Sequence, residues 1–514
     1  MRTSSSPGVL KLLEEHAAEI QWARTDRNGL IGVEFDGNVA HLDVERGNLN
    51  DATPNRPSGR SGSAKGDGTD STVTVSRAAL SASTVAVPGT TKVSFSAKLD
   101  PTVSRLSVTF DVERKASKAL VPDLTAVAAP PGLAPDPKPP GPPPNAPVLV
   151  SGESFTLAPG RKLPRLLFVT HIGNLSNNLG VSEAQAVLAA IRQAGQTVYA
   201  VTNASNPYPE VKAQLASPNP YEGVVILGGY DVLPSMRLDV LSPSLRQALG
   251  SRTGDADNFI VWSDDAYGDR DGDLQPELPV SRIPDARAPQ LVKAALAADL
   301  APAAPSRFGI RNYARPFAAP IFATLPGVEN IFTSAPDGPS NVGPGNAQAA
   351  GVYVMLHGSD VDGTRFWGED KGSMFEALNP SNLPAAFSGV TLAGCCWGAL
   401  TVDSIACQTP AGAVPPVRTP RASLALTWLH AGARAFVGCT GSHYSPTIPP
   451  YDYFGGPLHT AFWQQYTSGV APAKALFEAK LDFLKGFPHG QTSPNGQGIE
   501  LKILKQFTCL GLGW

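Results

Sequence analysis

The spacing of hydrophobic residues changes near residue 160. Beyond that point, short and continuously apolar runs rich in Val, Leu and Ile alternate with segments whose apolar residues have helical spacing. The runs cover residues 166–169, 198–201, 224–227, 259–261, 352–356, 390–393 and 433–437. Strands that are apolar at every position are buried on both faces, and helices between them make crossover connections. The pattern therefore predicts an α/β fold with a mostly parallel sheet.

The intervening helices follow from the same periodicity. They are predicted over residues 182–194, 286–300, 422–431, 457–466 and 472–484. Ser182 and Gln185 have the spacing of a capping box, so Ser182 is expected to cap the first of these helices.

The first 128 residues have a different pattern. A helical pattern over residues 9–22 is followed by strand-like alternation over residues 30–35, 39–44, 72–75, 93–97 and 106–112. Residues 55–71 are rich in Gly, Ser and Asp, which predicts a flexible segment. We expect residues 1–128 to form a mixed, β-rich regulatory or recognition region, with a regulatory partner as its candidate ligand.

A proline-rich run separates this region from the rest of the chain. Ten prolines fall in the eighteen residues 130–147, PPGLAPDPKPPGPPPNAP. Proline cannot donate to a sheet and favours the extended polyproline II conformation. We therefore interpret residues 129–150 as a linker and residues 151–514 as the main domain.

Charge and composition exclude several classes of function. Charged residues make up 17% of the chain and the formal net charge is -3, without a basic stripe for nucleic acid or an anionic membrane. No apolar run approaches the roughly 18 residues of a membrane span, and no secretory signal is visible. The five cysteines match no disulfide framework or zinc spacing, so we expect a cytoplasmic protein.

Reactive side chains follow two of the predicted strands. His357 and Gly358 come just after the run 352–356, and Cys395 and Cys396 come just after the run 390–393. Reactive groups in a parallel sheet belong at the carboxyl ends of strands. If these two strands are neighbours, joined by one helical crossover, an imidazole and a thiol lie at the same edge.

This pair of groups suits acyl transfer. A thiolate attacks an acyl carbon, and a nearby imidazole activates the thiol and carries a proton to the leaving amine. The oxyanion needs backbone N–H donors, and Gly358 lets a substrate carbonyl approach the chain closely. A buried cysteine at a strand end is also a common packing residue, and a His-Gly pair is a common turn.

Several motifs in this order resemble the gingipain-type cysteine peptidases of the caspase-like fold, over residues 160–510. HGSDVDGTRFWG and GCCWG look like the histidine loop and the nucleophile turn, and VVILGGYDVLP like the strand and turn before them. SDDAYGDRDGDLQPELPVSRIP is similar to an Asp-rich loop and strand in which Ser281 replaces a glycine. ASLALTWLHAGARAFVGCTG and GVAPAKALFEAK resemble later elements.

The resemblance implies a caspase-like three-layer sandwich and a cysteine endopeptidase with a Cys-His dyad and no required cofactor, acting on a protein or peptide. His357 matches the family histidine, and Gly358 is the candidate backbone oxyanion donor. The spacing Cys-x-x-Gly selects Cys395 as nucleophile, which we prefer, and the spacing Cys-x-Gly of caspases selects Cys396. The alternative function is a catalytically inactive scaffold or sensor.

Candidate pocket and metal residues complete the prediction. The segment 312–351 looks shorter than in secreted gingipains, so a preference for arginine or lysine cannot be carried over. Asp264 or Asp265 could select a basic substrate side chain, and Trp367 and His443 are candidate pocket walls. Aspartates in this loop also suit turns. A structural calcium ion has the candidate ligands Asp269, Asp271 and Asp273.

Overall fold

The structure is a computed structural model that describes five strands within residues 20–99, and residues 155–159, 162–216, 218, 220–250, 254–298, 306–370 and 373–514. The chain divides into two compact units, the first formed mainly by residues 1–137. The proline-rich linker and the strands predicted over residues 72–75 and 106–112 lie outside the described residues.

The first unit contains one five-stranded sheet in the order β1-β2-β3-β5-β4. Its strands are β1 Ile20–Thr25, β2 Ile31–Phe35, β3 Asn38–Arg46, β4 Ser81–Val87 and β5 Thr90–Leu99. The strands predicted over residues 30–35, 39–44 and 93–97 are confirmed. The helical prediction is wrong over residues 20–22, because the sequence IQWART alternates apolar and polar positions and forms β1.

The second unit contains the main sheet, two antiparallel sheets of two strands each and ten α-helices among the described residues. Its strands are β6 Leu166–Thr170, β7 Thr197–Ala200, β8 Gly223–Leu227, β9 Met236–Asp239, β10 Ile260–Ser263, β11 Val280–Ile283, β12 Arg307–Asn312, β13 Phe332–Ser334, β14 Gly351–Met355, β15 Phe366–Asp370, β16 Ser373–Leu378, β17 Val390–Ala393, β18 Ala435–Cys439 and β19 Phe507–Leu510. Its helices are α1 Ile172–Leu179, α2 Val181–Gln193, α3 Tyr208–Gln214, α4 Pro243–Leu249, α5 Pro289–Ala297, α6 Ala318–Phe322, α7 Leu424–His430, α8 Gly455–Thr467, α9 Pro472–Gly486 and α10 Pro494–Gln506.

The main sheet has ten strands in the order β13-β12-β14-β17-β18-β19-β11-β8-β6-β7. A first block of strands, β6, β7, β8, β11 and β19, is parallel throughout. A second block, β12, β13, β14, β17 and β18, is also parallel throughout. The blocks meet at β18 and β19, which pair antiparallel. The predicted α/β class with a mostly parallel sheet is therefore confirmed.

Helices cover both faces of the second block. Val352 and Val354 belong to a buried cluster that also contains Trp428 of α7. Tyr353, between them, packs edge-on against Trp463 of α8, with 6.3 Å between ring centroids. Successive strand residues point to opposite faces, so α7 and α8 lie on opposite sides of β14. This is the three-layer arrangement that the caspase-like resemblance implies.

Two sequence expectations are corrected by local backbone geometry. Residues 260 and 261 of the predicted run belong to β10, which pairs with β9 in a separate antiparallel sheet. Two left-handed residues, Asn258 and Phe259, redirect the chain just before β10. Helix α2 begins at Val181 with Gly180 as its N-cap and no side-chain cap, so the Ser182 capping box is wrong. Gly180 has φ +87° and ends α1 directly before α2, which leaves Ser182 inside the first turn.

No helix in the part of the chain that the structure describes combines the length and apolar character needed to cross a membrane.

Candidate active site

Four adjacent strands of the second block carry the candidate site. In the order β12, β14, β17 and β18 they are parallel, so their carboxyl ends lie along one edge. Arg315 follows β12, His357 follows β14, Cys396 follows β17 and His443 follows β18. We call these four residues the rim. The prediction that the histidine and cysteine strands are neighbours is confirmed by the parallel pairing of β14 with β17.

The connection between these two strands differs from the expected helical crossover. Residues 366–378 form the β15–β16 hairpin, and no α-helix occurs among the described residues between β14 and β17. The hairpin is joined to the histidine loop by two backbone hydrogen bonds. The His357 N–H donates to the Trp367 carbonyl at 2.7 Å, and the Trp367 N–H donates to the His357 carbonyl at 2.9 Å. Trp367 thus supports the backbone that carries the imidazole.

The histidine loop and the cysteine loop touch at Gly358. A Cβ atom at this position would lie 2.0 Å from the Cys396 carbonyl oxygen, far inside van der Waals contact. Only glycine therefore allows the two backbones to approach this closely. Among the described residues, neither the Gly358 N–H nor the Cys396 N–H donates to a protein acceptor. Two backbone donors are thus available beside the thiol.

Cys396 occupies a sharp turn. The Gly398 N–H donates to the Cys395 carbonyl at 2.9 Å, and Trp397 has φ +52°, a left-handed conformation that favours glycine. Such a conformation costs roughly 1–3 kcal/mol and persists only where neighbouring contacts impose it. Here the indole N–H of Trp397 donates to the buried carboxylate of Asp257 at 3.0 Å. The turn is held so that Cys396 lies near its tip.

The two neighbouring thiols have different environments. Cys395 is fully buried, with its Sγ 4.0 Å from the Val354 carbonyl oxygen, and burial raises its pKa. Cys396 is partly exposed, and its Sγ accepts a hydrogen bond from the His443 N–H at 3.2 Å. Burial also raises the pKa of Cys396, but the Arg315 charge and the His443 N–H oppose that rise. Cys395, which the sequence favours as nucleophile, therefore has the environment of a packing residue.

His357 is held at both ring nitrogens. Its Nδ1 lies 3.3 Å from an Arg315 guanidinium nitrogen, and its Nε2 lies 3.3 Å from a Glu369 carboxylate oxygen. Because a guanidinium only donates, Nδ1 is the acceptor and Nε2 carries the proton that Glu369 accepts. Burial and the Arg315 charge lower the pKa of His357, and Glu369 opposes them. No hydrogen bond joins His357 to a thiol among the described residues.

A chain of hydrogen bonds runs inward from Arg315. The guanidinium donates to the Ser445 hydroxyl at 2.5 Å, and that hydroxyl lies 3.3 Å from His443 Nδ1. The His443 and His459 rings are stacked with their Nε2 atoms 3.2 Å apart, and His459 Nδ1 lies 2.9 Å from the Tyr353 hydroxyl. His443 is 5% exposed, so its ring is largely interior and its backbone N–H is the group that reaches Cys396.

Asp264 and Asp265 lie in a buried network of charges. Asp264 accepts two hydrogen bonds from Arg282, at 2.6 and 3.0 Å, and Asp265 accepts one from Lys480 at 2.6 Å. We call these four residues the Arg282 network. Burial opposes ionisation of Asp264, but the adjacent guanidinium holds its pKa below the usual value. These contacts pair both carboxylates with cations, although Asp265 Oδ2 has no hydrogen-bond partner among the described residues, and the role of the two residues in substrate selection stays a prediction.

The acidic loop brings its side chains together. The carboxylates of Asp269, Asp271, Asp273 and Glu277 offer oxygens that all lie within 4.8 Å of one another. Asp269 also accepts backbone N–H groups from Asp271, Gly272 and Leu274, which explains the tight turn without a metal. The donor set suits a hard cation such as calcium, so the calcium prediction stands as a prediction.

Sequence reasoning missed Arg315, Glu369, Asp257 and Ser445. Arg315 follows β12, whose sequence RFGIRN contains two arginines and therefore lacks the continuous apolar run that marked other strands. Glu369 belongs to an unpredicted hairpin, because neither FWGED nor SMFEAL alternates regularly between apolar and polar residues. Asp257 and Ser445 lie outside strands and helices, and only the fold shows what they contact.

No family model matches the sequence, and no curated protein matches it significantly. Among solved structures, the chain is similar to the Arg-specific cysteine proteinase gingipain R (RgpB), with 12% identity, 70% of this chain and 79% of that chain covered, and a TM-score of 0.41.

Two further structures show a similar degree of likeness. One is titled "Structure of Protease", with 14% identity, 68% and 77% coverage and a TM-score of 0.42. The other is the complex of RgpB pro- and mature domains from Porphyromonas gingivalis, with 12% identity, 68% and 78% coverage and a TM-score of 0.40. The fold and the geometry of the site follow from the described residues of this chain, independently of these similarities.

Proposed function

We propose that this protein is a cysteine endopeptidase that hydrolyses peptide bonds with Cys396 as nucleophile and His357 as general base and acid. The observation that carries the proposal is the contact of Gly358 with the Cys396 backbone at the carboxyl ends of paired strands. Because these two loops touch, the His357 imidazole and the partly exposed Cys396 thiol flank the point of contact. Cys395, preferred from the sequence, is the competing nucleophile.

The chemistry follows from the available atoms. The Cys396 thiol gives its proton to His357 Nδ1, the ring nitrogen without hydrogen, as its sulfur attacks the substrate carbonyl carbon. This proton transfer replaces the long 3.3 Å contact of Nδ1 with Arg315. Glu369 accepts from Nε2 and stabilises the imidazolium. The Gly358 and Cys396 N–H groups stabilise the oxyanion, each typically contributing about 3 kcal/mol of barrier lowering.

The second half of the reaction returns the enzyme to its starting state. The tetrahedral intermediate collapses as His357 gives its Nδ1 proton to the leaving amine, which breaks the peptide bond and leaves a thioester on Cys396. Water then adds to the thioester carbonyl and gives a proton to His357. Expulsion of the Cys396 sulfur, reprotonated by His357, releases the carboxylic acid product.

Several parts of the proposal concern the surroundings of the reaction. The substrate is a protein or peptide, and the reaction needs no cofactor. The proposal includes a structural calcium ion in the acidic loop and a cytoplasmic location. It also assigns a regulatory role to residues 1–128, a linker to residues 129–150 and the peptidase domain to residues 151–514.

The test compares adjacent cysteines in otherwise identical chains. Cys396→Ala and His357→Ala should each lower cleavage of a peptide library by at least about 10³-fold. Cys395→Ala and the exposed His430→Ala are the matched controls and should retain most activity. Circular dichroism and thermal unfolding check that each variant is folded.

Each contrary result has a defined meaning. Loss of activity in Cys395→Ala but not in Cys396→Ala reverses the nucleophile assignment. Equal activity in all four variants contradicts the dyad. A folded chain that cleaves no library peptide and whose thiols resist iodoacetamide at neutral pH favours the inactive scaffold or sensor.

A further inference from the structure

Arg315 is the charged residue of the rim for which the proposed reaction has no role. It lies three residues beyond β12, next to the strand that carries His357. Among the described residues it forms no ion pair, and its buried Nε has no hydrogen-bond partner. Arg315 is half-buried, and a guanidinium that loses part of its water without an anion to offset the loss needs an explanation.

Two contacts hold the guanidinium in place. One terminal nitrogen donates to the Ser445 hydroxyl at 2.5 Å, and the other donates to His357 Nδ1 at 3.3 Å. Because arginine has no acceptor atom, the second contact keeps Nδ1 without a proton in the resting enzyme. This is the nitrogen that must take the thiol proton.

The other charges near Cys396 offset one another. Lys502 and Asp257 both face the thiol, but they form a buried ion pair together, which also includes the Ser442 hydroxyl. The neighbouring thiols of Cys395 and Cys439 are uncharged, with pKa values raised by burial. Around His357, the charged groups are Arg315 and Glu369. Arg315 is therefore the cation whose field at the sulfur is not offset by an adjacent carboxylate.

We propose that Arg315 is a positioning residue of the Cys396–His357 dyad, which sets the imidazole tautomer and stabilises the Cys396 thiolate. The proposal rests on the proposed function for its context, since it concerns the same two groups. Positive charge beside a thiol favours the ionised form. Arg315 therefore offsets part of the burial that disfavours the thiolate, and it makes the protonated His357 a stronger acid toward the leaving amine.

Ser445 offers a second and milder way to test the role of Arg315. Its hydroxyl lies between the guanidinium and His443, so it anchors Arg315 without touching His357 or a thiol. Removing this hydroxyl keeps the positive charge but loosens its position. A smaller effect on the thiol is therefore expected from Ser445→Ala than from loss of the arginine.

The test measures thiol reactivity and does not depend on peptide cleavage. Iodoacetamide alkylation of the full chain is followed from neutral to alkaline pH, with fragment-ion mass spectrometry to separate Cys396 from Cys395. Arg315→Met should shift the Cys396 profile to higher pH and slow alkylation about tenfold at neutral pH, as expected for a rise of about one pKa unit. Arg315→Lys keeps the charge and should recover most of the rate.

The outcomes separate this inference from the proposed function. An Arg315→Met profile that superimposes on that of the unchanged chain, in a protein with normal thermal unfolding, overturns the inference. If Arg315→Met does not fold, Ser445→Ala decides, since an unchanged profile there also overturns it. A shifted profile in a chain that cleaves no peptide supports the role of Arg315 and contradicts the peptidase proposal alone.

Discussion

The rim and the Arg282 network both hold polar side chains in the main domain, but their bonding differs. In the Arg282 network, two carboxylates face two cations, and Arg282 also donates to the Gly228 and Leu233 carbonyls. In and beside the rim, Arg315 Nε and the backbone N–H groups of Gly358 and Cys396 have no protein partner among the described residues. Most polar atoms of the first region bond within the protein, whereas two backbone N–H groups beside the rim are available for a substrate.

A crowd of acidic residues in a sequence does not by itself show free carboxylates, because the fold can pair them with cations. Asp264 and Asp265 stand out in the sequence, yet both are buried and bonded to cations from distant segments. A buried ion pair must be satisfied internally, because an unpaired charge in a low-dielectric interior is costly. The density of charge in the sequence therefore does not show which polar groups are left free by the fold.

Among changes that leave the reactive side chains in place, the largest effect is expected from adding one methyl group beside the rim. Gly358→Ala would force a Cβ to within 2.0 Å of the Cys396 carbonyl, so the loops must separate. Misplacement of this order commonly costs about 10²-fold in rate, and peptide cleavage measures it. Gly345→Ala is the matched control, because a Cβ there meets no atom within 4 Å. Equal activity of both variants would remove the loop contact from the mechanism.

Breaking the Arg282 network should affect stability and spare thiol chemistry. Arg282→Met leaves Asp264 buried without its cation, which should lower the free energy of unfolding by about 3–5 kcal/mol in urea titrations. Arg246→Met removes an exposed pair with Asp239 and should cost less than about 1 kcal/mol. A change in iodoacetamide reactivity of Cys396 in folded Arg282→Met would show that the two regions are coupled.

The stacked rings of His443 and His459 predict that the free energy of unfolding depends on pH. Burial lowers the pKa of His459 to about 3, and burial and His459 lower that of His443. Between these pKa values the imidazole is protonated in the unfolded chain and neutral in the folded chain. The contribution of the neutral histidine to the free energy of unfolding is therefore fully present above about pH 6.5 and is lost as the pH falls toward 3. We expect a decrease of about 2 kcal/mol between pH 6.5 and pH 5 for His459 alone.

Chemical unfolding of the unchanged chain and of His459→Phe at the two pH values checks this expectation. The variant should show a smaller decrease, because it has no imidazole to protonate at that position. A decrease of the same size in both chains would assign the pH dependence to other groups.

The smallest effect concerns the acidic loop. If calcium binds the carboxylates of Asp269, Asp271, Asp273 and Glu277, added calcium should raise the Tm by a few degrees, since a ligand that binds only the folded state stabilises it. Asp271→Asn removes a charge but keeps the acceptor for the Asp273 N–H, so it should abolish the shift without unfolding the loop. An equal shift with magnesium, or none with calcium, contradicts the calcium prediction.

Much of the fold could be predicted from local pattern. The apolar runs that became β6, β8, β14 and β17 were correctly located, because strands buried on both faces need apolar residues at every position. Strand β12, which contains two arginines and leads to Arg315, was missed. The hairpin after His357 was also missed, since its two short strands are stabilised by pairing with each other.

The sequence alone determined that a histidine and a pair of cysteines follow strands of one sheet, because hydrophobic period and strand length are local properties. Only the tertiary structure decided which thiol reaches solvent and which cation accompanies it. Cys395 and Cys396 are adjacent, and two spacing motifs select different members of the pair. The left-handed Trp397 and its hydrogen bond to Asp257 give the two thiols different environments. Long-range contacts of this kind depend on how distant segments pack, and the spacing of residues along one segment does not contain them.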